Sequence, residues 1–544
     1  MNTSKLKGIF TKGTAMELEV YVADKLKGIP RNLKVAFLSA VVIALLVHGF
    51  GFLNKFINED SLFYFNTSMA YLYQSGRWLL VTLQFIRGSY TVPWIIGIFA
   101  VLYLALAVTV VVSVLEIKNR VHCVLIAALI VTFPAWANQF MYDFMADAYP
   151  AAMLLAALAV YFAKKYKFGF ILGAGCLMLS MALYQSFLAF AIGLSLMALI
   201  RCVLETPEDI GRILAQGGKY LLCGLMGVGL YLVSVRVSLL ITGGALWDYQ
   251  GMDALGQLSL SELPALIVET YDSFFRGFWR TNPGLVNALY VSDGLFYLYA
   301  AVFALMAYLL VRLVIVCKLY KHIPAALILL VCLLLLPIGL NITRITAPAA
   351  EFHTLMTNPF VLAVVLLFVL LDLYQIQKRR RGKKPHAGPV LIALSVTLLI
   401  SGNYARQTSS FYFVQHIQYE RSFAFYNRLL LRIESTEGYE PGMPVAILGT
   451  QPFPDIGASD VLAAELWQIV GFSGERLAVG LGEWYKSMNF IQNYLGVRIV
   501  PATAEQKEDI LAGEVFAEMP LYPRYGSVAV IDGVLVVKLN EVDP

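Results

Sequence analysis

Two carboxylates stand side by side at Glu59 and Asp60, and a guanidinium follows at Arg77, in the stretch FINEDSLFYFNTSMAYLYQSGRW at residues 56–78. A carboxylate held near a hydroxyl takes its proton as a general base. A guanidinium offers a planar fork of donors that suits a phosphate. The same residue types recur further along the chain. Gln139, Asp143 and Asp147 follow i, i+4, i+8 spacing in ANQFMYDFMADAYP, and Tyr184 and Gln185 separate two apolar runs. Arg344, Glu351 and His353 lie in NITRITAPAAEFHTLMTNP.

Each of these has a plainer explanation. Asp60 or Ser61 is a natural N-cap for an amphipathic helix over 61–73, in which Leu62, Phe65, Met69 and Leu72 share a face. A cap does not exclude catalysis, because a helix dipole keeps such a carboxylate in place and ionised. Glu59 then reads as the bystander of the pair. If the 139–147 segment is helical, Asp143 and Asp147 repel unless a cation sits between them or one binds a proton. A solvated face would tolerate them, but Phe140, Met141, Phe144 and Met145 are lipid-like neighbours, so the stripe is expected to face an enclosed polar cavity. Arg77 could simply snorkel from a helix end. Arg344 lies between Asn341 and two prolines, Pro348 and Pro359, in backbone too irregular for lipid. Such backbone is tolerated at membrane depth where it lines a cavity, which makes Arg344 a candidate for holding an anion. His353 reads more as a hydrogen-bonded structural residue than as a catalyst.

The elements that must position these groups are apolar. The 544 residues are 59% hydrophobic and 14% charged, with a mean hydropathy of +0.70, which is the composition of a polytopic membrane protein. The net charge of +5 is modest and its basic residues fall in short clusters between apolar runs, so nucleic acid is excluded as a partner. The first 33 residues are polar and mixed in charge, unlike a cleaved signal. Eleven runs read as spanning helices, near 34–52, 92–115, 121–135, 148–163, 168–183, 185–201, 219–241, 290–315, 322–340, 358–377 and 387–403.

The stretch 168–201 is either one long helix or a hairpin turning at Tyr184-Gln185-Ser186. The Lys/Arg clusters at 116–120, 164–167, 201–219, 318–321 and 378–384 all fall on one side only if it crosses twice. By the positive-inside rule that side is cytoplasmic. The N-terminus is then inside, the chain beyond about 404 is exported, and all the chemistry-bearing residues above gather at the outer boundary. Ionisable groups beside hydrocarbon are costly unless paired or wetted, so the gathering marks a functional site. The six cysteines lie in spans or near their inner ends and form no CxxC, so neither a disulfide framework nor a thiolate metal site is expected.

The expected architecture is therefore mainly α: a cytoplasmic segment 1–33, a transmembrane catalytic domain 34–403 and a small exported α/β domain 404–544. In that last part 404–435 is aromatic and charged with helical spacing, PVAILGT reads as a buried strand, 482–495 and 503–513 as helical, and SVAVIDGVLVV as a hairpin turning at Asp532-Gly533. No GxGxxG follows a strand and no P-loop is present, which leaves nucleotide binding without support.

An acidic pair in the first exported loop, an amphipathic helix after it and an exported tail on a multi-span chain resemble the GT-C class of membrane glycosyltransferases. GRW at 76–78, YDFMADAYP from 142 and LYQSFL at 183–188 are similar to the bacterial glucosyltransferases (Gtr) that modify O-antigen and related surface polysaccharides, over about residues 35–405. The resemblance implies a polyprenyl-phosphate sugar donor such as undecaprenyl-phosphate glucose, a polysaccharide or lipid-linked glycan acceptor, and a multi-pass protein of the bacterial inner membrane. It also implies a flippase and a polyprenyl-phosphate glycosyltransferase as partners. In that frame Asp60 is the base, with Glu59 as alternative, and Arg77 and Arg344 meet the leaving phosphate. Trp78, Asp143, Asp147, Tyr184, Gln185, Glu351 and His353 are then substrate-binding. Asp143 and Asp147 lack a third carboxylate at fixed spacing, so neither a divalent cation nor another cofactor is expected. The absence of Asp-x-Asp argues for a lipid-borne over a nucleotide-borne donor.

The rival from another class is a transporter or flippase. Transporters commonly carry internal repeats and mid-membrane charge; no convincing repeat is present, and Arg236 in the seventh span is the one feature leaning that way. A reporter fused after residue 410 is expected to be active only outside the cytoplasm. Cytoplasmic activity there overturns the sidedness.

Overall fold

Long apolar runs satisfy their backbone inside a bilayer only as helices, and the chain folds accordingly. The computed structural model describes residues 14–54, 61, 70–88, 91–247, 261–279, 293–348, 353–382, 384, 386–449 and 488–541. The first half comprises α1 (Thr14–Gly28), α2 (Arg31–Leu53), α3 (Trp78–Arg87), α4 (Pro93–Val114), α5 (Arg120–Thr132), α6 (Ala148–Lys165), α7 (Gly169–Leu183), α8 (Phe187–Glu205) and α9 (Ile210–Thr242). The second comprises α10 (Leu263–Trp279), α11 (Asp293–Val316), α12 (Ile323–Leu340), α13 (Val361–Arg380) and α14 (Ala387–Glu434). Among the described residues nine helices are long and apolar enough to cross a membrane.

All eleven expected runs appear as helices. Two of them, α5 and α7, have only 13 and 15 residues, or about 20 and 23 Å at 1.5 Å per residue, short of a hydrocarbon core of roughly 30 Å. α9 starts at Ile210 rather than near 219, capped by Asp209. α14 joins the span expected at 387–403 to the helical spacing of 404–435 in one helix of 48 residues. α3 and α10 were not expected as helices. Of the amphipathic helix expected over 61–73, Ser61 and residues 70–73 are described, the latter within a 3-10 turn, Ala70–Ser75.

The end of α5 shows how a membrane helix is stopped. Pro134 has no N–H and pushes Phe133 into extended backbone, at φ −56° and ψ 129°. Carbonyls in the last turn of α5 lose their helical partners. The Trp136 indole takes Ile130 O at 2.7 Å, and His48 Nε2, from α2, takes Val131 O at 2.8 Å. His48 Nδ1 lies 2.8 Å from the Tyr412 hydroxyl on α14. With the ring proton on Nε2, Tyr412 donates to Nδ1.

The first eleven residues of α13, Val361 to Leu371, are apolar on every side and buried throughout, as a stretch without a polar face must be. α7 lies close against α6 through Gly169 and Gly173, one turn apart. A Cβ on Gly173 would stand 2.6 Å from Ala159 O of α6 and 2.8 Å from Cys223 Sγ of α9. Small residues at such spacing let helix backbones approach without lipid between them.

Past the bundle, β1 (Pro444–Leu448), β2 (Val500–Pro501), β3 (Val528–Ile531) and β4 (Val534–Lys538) form one sheet in the order β2-β1-β4-β3. β1 is parallel to both neighbours, and β3 and β4 form the antiparallel hairpin. Asp532 and Gly533 both take positive φ, 47° and 76°, as a two-residue turn of this hand requires. Val445, Ile447, Leu535 and Val537 pack on Phe425, Leu429 and Ile433 at the end of α14. Ala446, Leu448, Val534 and Val536 face the other way, toward Ile510 of α15 (Ala504–Ala512) and Phe516. Both faces are covered, so the central strands are apolar throughout rather than alternating.

Gly173→Val is expected to lower the thermal stability of the detergent-solubilised protein by about 1–3 kcal/mol, the usual range for overpacking. Gly175→Val, where a Cβ meets nothing within 4 Å, should leave it unchanged.

Candidate functional site

The residues of interest converge on the end of the bundle that carries Tyr184. α7 stops there at Leu183, Tyr184 is extended, and α8 resumes at Phe187. This break lets Gln185 reach sideways: its amide donates to Ser75 O at 2.8 Å and to the Tyr231 hydroxyl of α9 at 2.9 Å. Tyr231 in turn donates to Gly76 O at 3.4 Å. Gly76, at φ 72°, turns the chain from the 3-10 segment into α3. Trp78 opens α3 and its indole donates to Ser234 Oγ of α9 at 3.0 Å. Gln185 and Trp78 therefore brace the GRW turn against α8 and α9.

Between these braces sits Arg77. Its guanidinium carbon lies 5.2 Å above the Tyr184 ring, a cation–π arrangement. Tyr184 is 3% exposed and meets Tyr149 of α6 edge-on at 5.0 Å. The buried Arg77 Nε has no hydrogen-bond acceptor, and no carboxylate pairs with this guanidinium among the described residues. A half-buried cation set on an aromatic face without an acid is arranged to accept an anion.

The 139–147 segment does not form the expected helical stripe. A short helix, Ala135–Phe140, ends at Tyr142, whose ψ of 74° breaks the turn, and a 3-10 turn at Asp143–Met145 leads into α6. The three polar residues consequently point to different partners. Gln139 donates to Leu355 O at 2.6 Å and accepts from Asn358 at 2.7 Å, fixing this segment to the 353–360 loop. Ser186 joins the same loop at Met356 O, 3.4 Å away. Asp147 pairs with Arg87, at the C-terminal end of α3, which also donates to Phe144 O.

Arg87 is the cation that the Asp143–Asp147 spacing required, and sequence reasoning passed over it because it ends a short apolar helix. Both side chains of the pair are nearly sealed, at 3% and 4% exposure. Removing one partner of a buried ion pair costs about 3–5 kcal/mol. Asp147 is thus held by Arg87 rather than presented to a sugar. Asp143 is buried without that neighbour's cation. It acts electrostatically on Tyr412 of α14 and on Tyr494 from the C-terminal sheet unit. Burial first, and the Asp143 charge second, push the Tyr494 phenol above its ordinary range. Tyr494 was not foreseen; its nearness to Asp143 arises from chain separated by some 350 residues, which no local pattern encodes.

Arg344 pairs with a residue of α10. It lies in the short helix Thr343–Thr346, with its Nη1 3.6 Å from Glu269 Oε1. Asn341 fixes the segment by donating to Thr270 O at 3.1 Å and Ser273 Oγ at 2.6 Å. Burial lowers the Arg344 pKa and the Glu269 charge opposes that shift. His353 precedes a 3-10 turn, Thr354–Met356, without capping it by its side chain. Glu59, Asp60 and Glu351 lie outside the described residues, although Ser61, next to Asp60, is 6% exposed. Among the described residues no group of three or more His, Cys, Asp or Glu side chains could hold a metal ion.

The family model of the glucosyl transferase GtrII matches residues 49–371, more than half of the chain and all of the site residues just described except Tyr412 and Tyr494. No curated protein and no solved structure matches the chain. The chain is a membrane protein and belongs to the GtrII glucosyl transferase family.

Proposed function

We propose that this glucosyltransferase takes glucose from a polyprenyl-phosphate donor and passes it to a surface polysaccharide on the non-cytoplasmic face of the inner membrane. The observation that carries the reading is Arg77, a guanidinium placed over Tyr184 with no acid against it among the described residues. A lipid phosphate gathers negative charge as its bond to the sugar breaks, and planar N–H donors answer that charge. The opposite ends of α6, α8 and α9 carry the Lys/Arg clusters, so the positive-inside rule assigns the Arg77 end to the outer leaflet.

The reaction is a single displacement. Asp60, in the same short connection between α2 and α3 as Arg77, takes the proton of the acceptor hydroxyl. The acceptor oxygen bonds to the anomeric carbon from the face opposite the phosphate, and the carbon–oxygen bond to phosphate breaks with its electron pair leaving on phosphate. Arg77 holds that phosphate, and Arg344, oriented by Glu269, is the second guanidinium of the reading. Asp143 binds a sugar hydroxyl. Asp147 acts through Arg87 as a positioning residue for the loop, and Gln185 and Trp78 hold the GRW turn.

Purified protein supplied with radiolabelled undecaprenyl-phosphate glucose and acceptor glycan should release lipid phosphate and label the glycan. Asp60→Asn is expected to abolish transfer at unchanged expression, and Arg77→Gln to lower kcat by about 10²–10³-fold, the usual effect of losing one donor to a developing anion. Near-normal turnover of Asp60→Asn would remove it as the base. A wild-type protein that transfers from UDP-glucose and ignores the lipid donor would sink the donor assignment.

A further inference from the structure

α8 and α9 separate along their middle, from Leu188 near the Tyr184 break to Leu199 and Gly217 toward the opposite end of the bundle. Between them lies a cleft of about 430 Å³ with an apolar lining, including Leu188, Ile192 and Leu199 of α8 and Leu221 and Leu225 of α9. Leu221 and Leu225 are more than 60% exposed on the surface of a spanning helix, so the cleft opens toward lipid. Glycines keep it open: a Cβ on Gly224 would meet nothing within 4 Å, and one on Gly217 only the end of Leu199.

The cleft meets a second hollow, about 350 Å³ and polar, with Tyr220 lining both. The inner part of this hollow is neutralised. Lys164 pairs with Glu116 at 2.8 Å, and Arg201 pairs with Glu205 at 2.7 Å with Asp372 behind it at 3.4 Å. Two cations remain at its mouth. Lys165 donates to the neutral Tyr161 hydroxyl at 2.6 Å. Arg212 has no carboxylate partner for its guanidinium among the described residues, since Asp209 accepts from the Arg212 backbone N–H at 2.9 Å as the cap of α9. The buried Tyr220 hydroxyl lies at the junction beside Gln216, whose amide donates to Ala163 O at 3.4 Å.

We propose that an anionic phospholipid occupies this site, an acyl chain in the α8/α9 cleft and its phosphate between Lys165 and Arg212. A soluble anion would leave the apolar cleft unused, and a zwitterionic lipid would bring its own cation to a mouth that already holds two. Basic pockets between spanning helices at the cytoplasmic boundary suit anionic head groups, and these basic residues belong to the clusters that the positive-inside rule places there. Arg212 and Tyr231 lie 19 residues apart on α9, about 28 Å along the helix. The phosphate end of the site is thus separate from the glucosyl-transfer site and independent of which donor that site takes.

Thermal unfolding of the full chain in detergent, with added phosphatidylglycerol or phosphatidylcholine at equal mole ratio, tests this. Phosphatidylglycerol should raise Tm several degrees more than phosphatidylcholine. The exposed pair Lys165→Gln/Arg212→Gln should lose that excess and keep the response to phosphatidylcholine. Gly224→Leu, which fills the cleft without touching the fold, should lose the response to phosphatidylglycerol with its basal Tm unchanged. Equal shifts from the two lipids in the wild type, or an excess that persists in both variants, would overturn the assignment.

Discussion

A carbonyl set free inside a bilayer has no water to turn to, and this organises the molecule at its functional end. Wherever a spanning helix stops short, the released groups recruit side chains from elsewhere in the chain. Pro134 frees the last turn of α5, and Trp136 and His48 answer. The break at Tyr184–Ser186 sends Gln185 to Ser75 and Ser186 to Met356. The irregular chain after α12 is met by Asn341 on α10 and by Gln139 on Leu355. Apart from Trp136 on Ile130, each repair crosses between segments far apart in sequence, so satisfying the backbone also assembles the GRW turn, the helix break at Tyr184 and the 353–360 loop into one surface.

Charge within the bundle obeys a similar economy. Burying an ion pair gains little net stability, but leaving one partner alone is strongly unfavourable. Arg87 and Asp147 are nearly sealed together, and Arg201 is enclosed by Glu205 and Asp372. Against that background the cations without an acid among the described residues are conspicuous. Arg77 at one end, and Lys165 with Arg212 at the other, are where the two proposed anionic ligands enter.

Much of the fold was legible because hydrophobic length is a one-dimensional signal. Every expected apolar run became a helix, the Asp532-Gly533 turn fell where β-rich runs flanked it, and the doubled crossing at Tyr184 followed from loop charge. The failures have physical causes. α10 is short, amphipathic and carries charge, so a search for uniformly apolar runs passes over it, and with it Glu269, the partner of Arg344. The i, i+4, i+8 spacing of Gln139, Asp143 and Asp147 suggested a single stripe, but one non-helical ψ at Tyr142 redirects all three. Arg77 was identified by its position in a motif, whereas the absence of an acid against it among the described residues could only be seen in three dimensions. α14 was cut near 403 because hydropathy falls there, although helical backbone is indifferent to what its side chains face.

That last helix links the two halves of the molecule. Its first part is tied to His48 through Tyr412, and its last turns, Phe425 to Ile433, form the underside of the sheet. With 48 residues it is a rod of about 72 Å, and each residue added between those two attachments would swing the sheet by about 100° around the rod axis. Substitutions in the intervening stretch can be absorbed, but a change in its length cannot: the count of residues between Tyr412 and Phe425 sets the azimuth at which the sheet stands relative to the bundle.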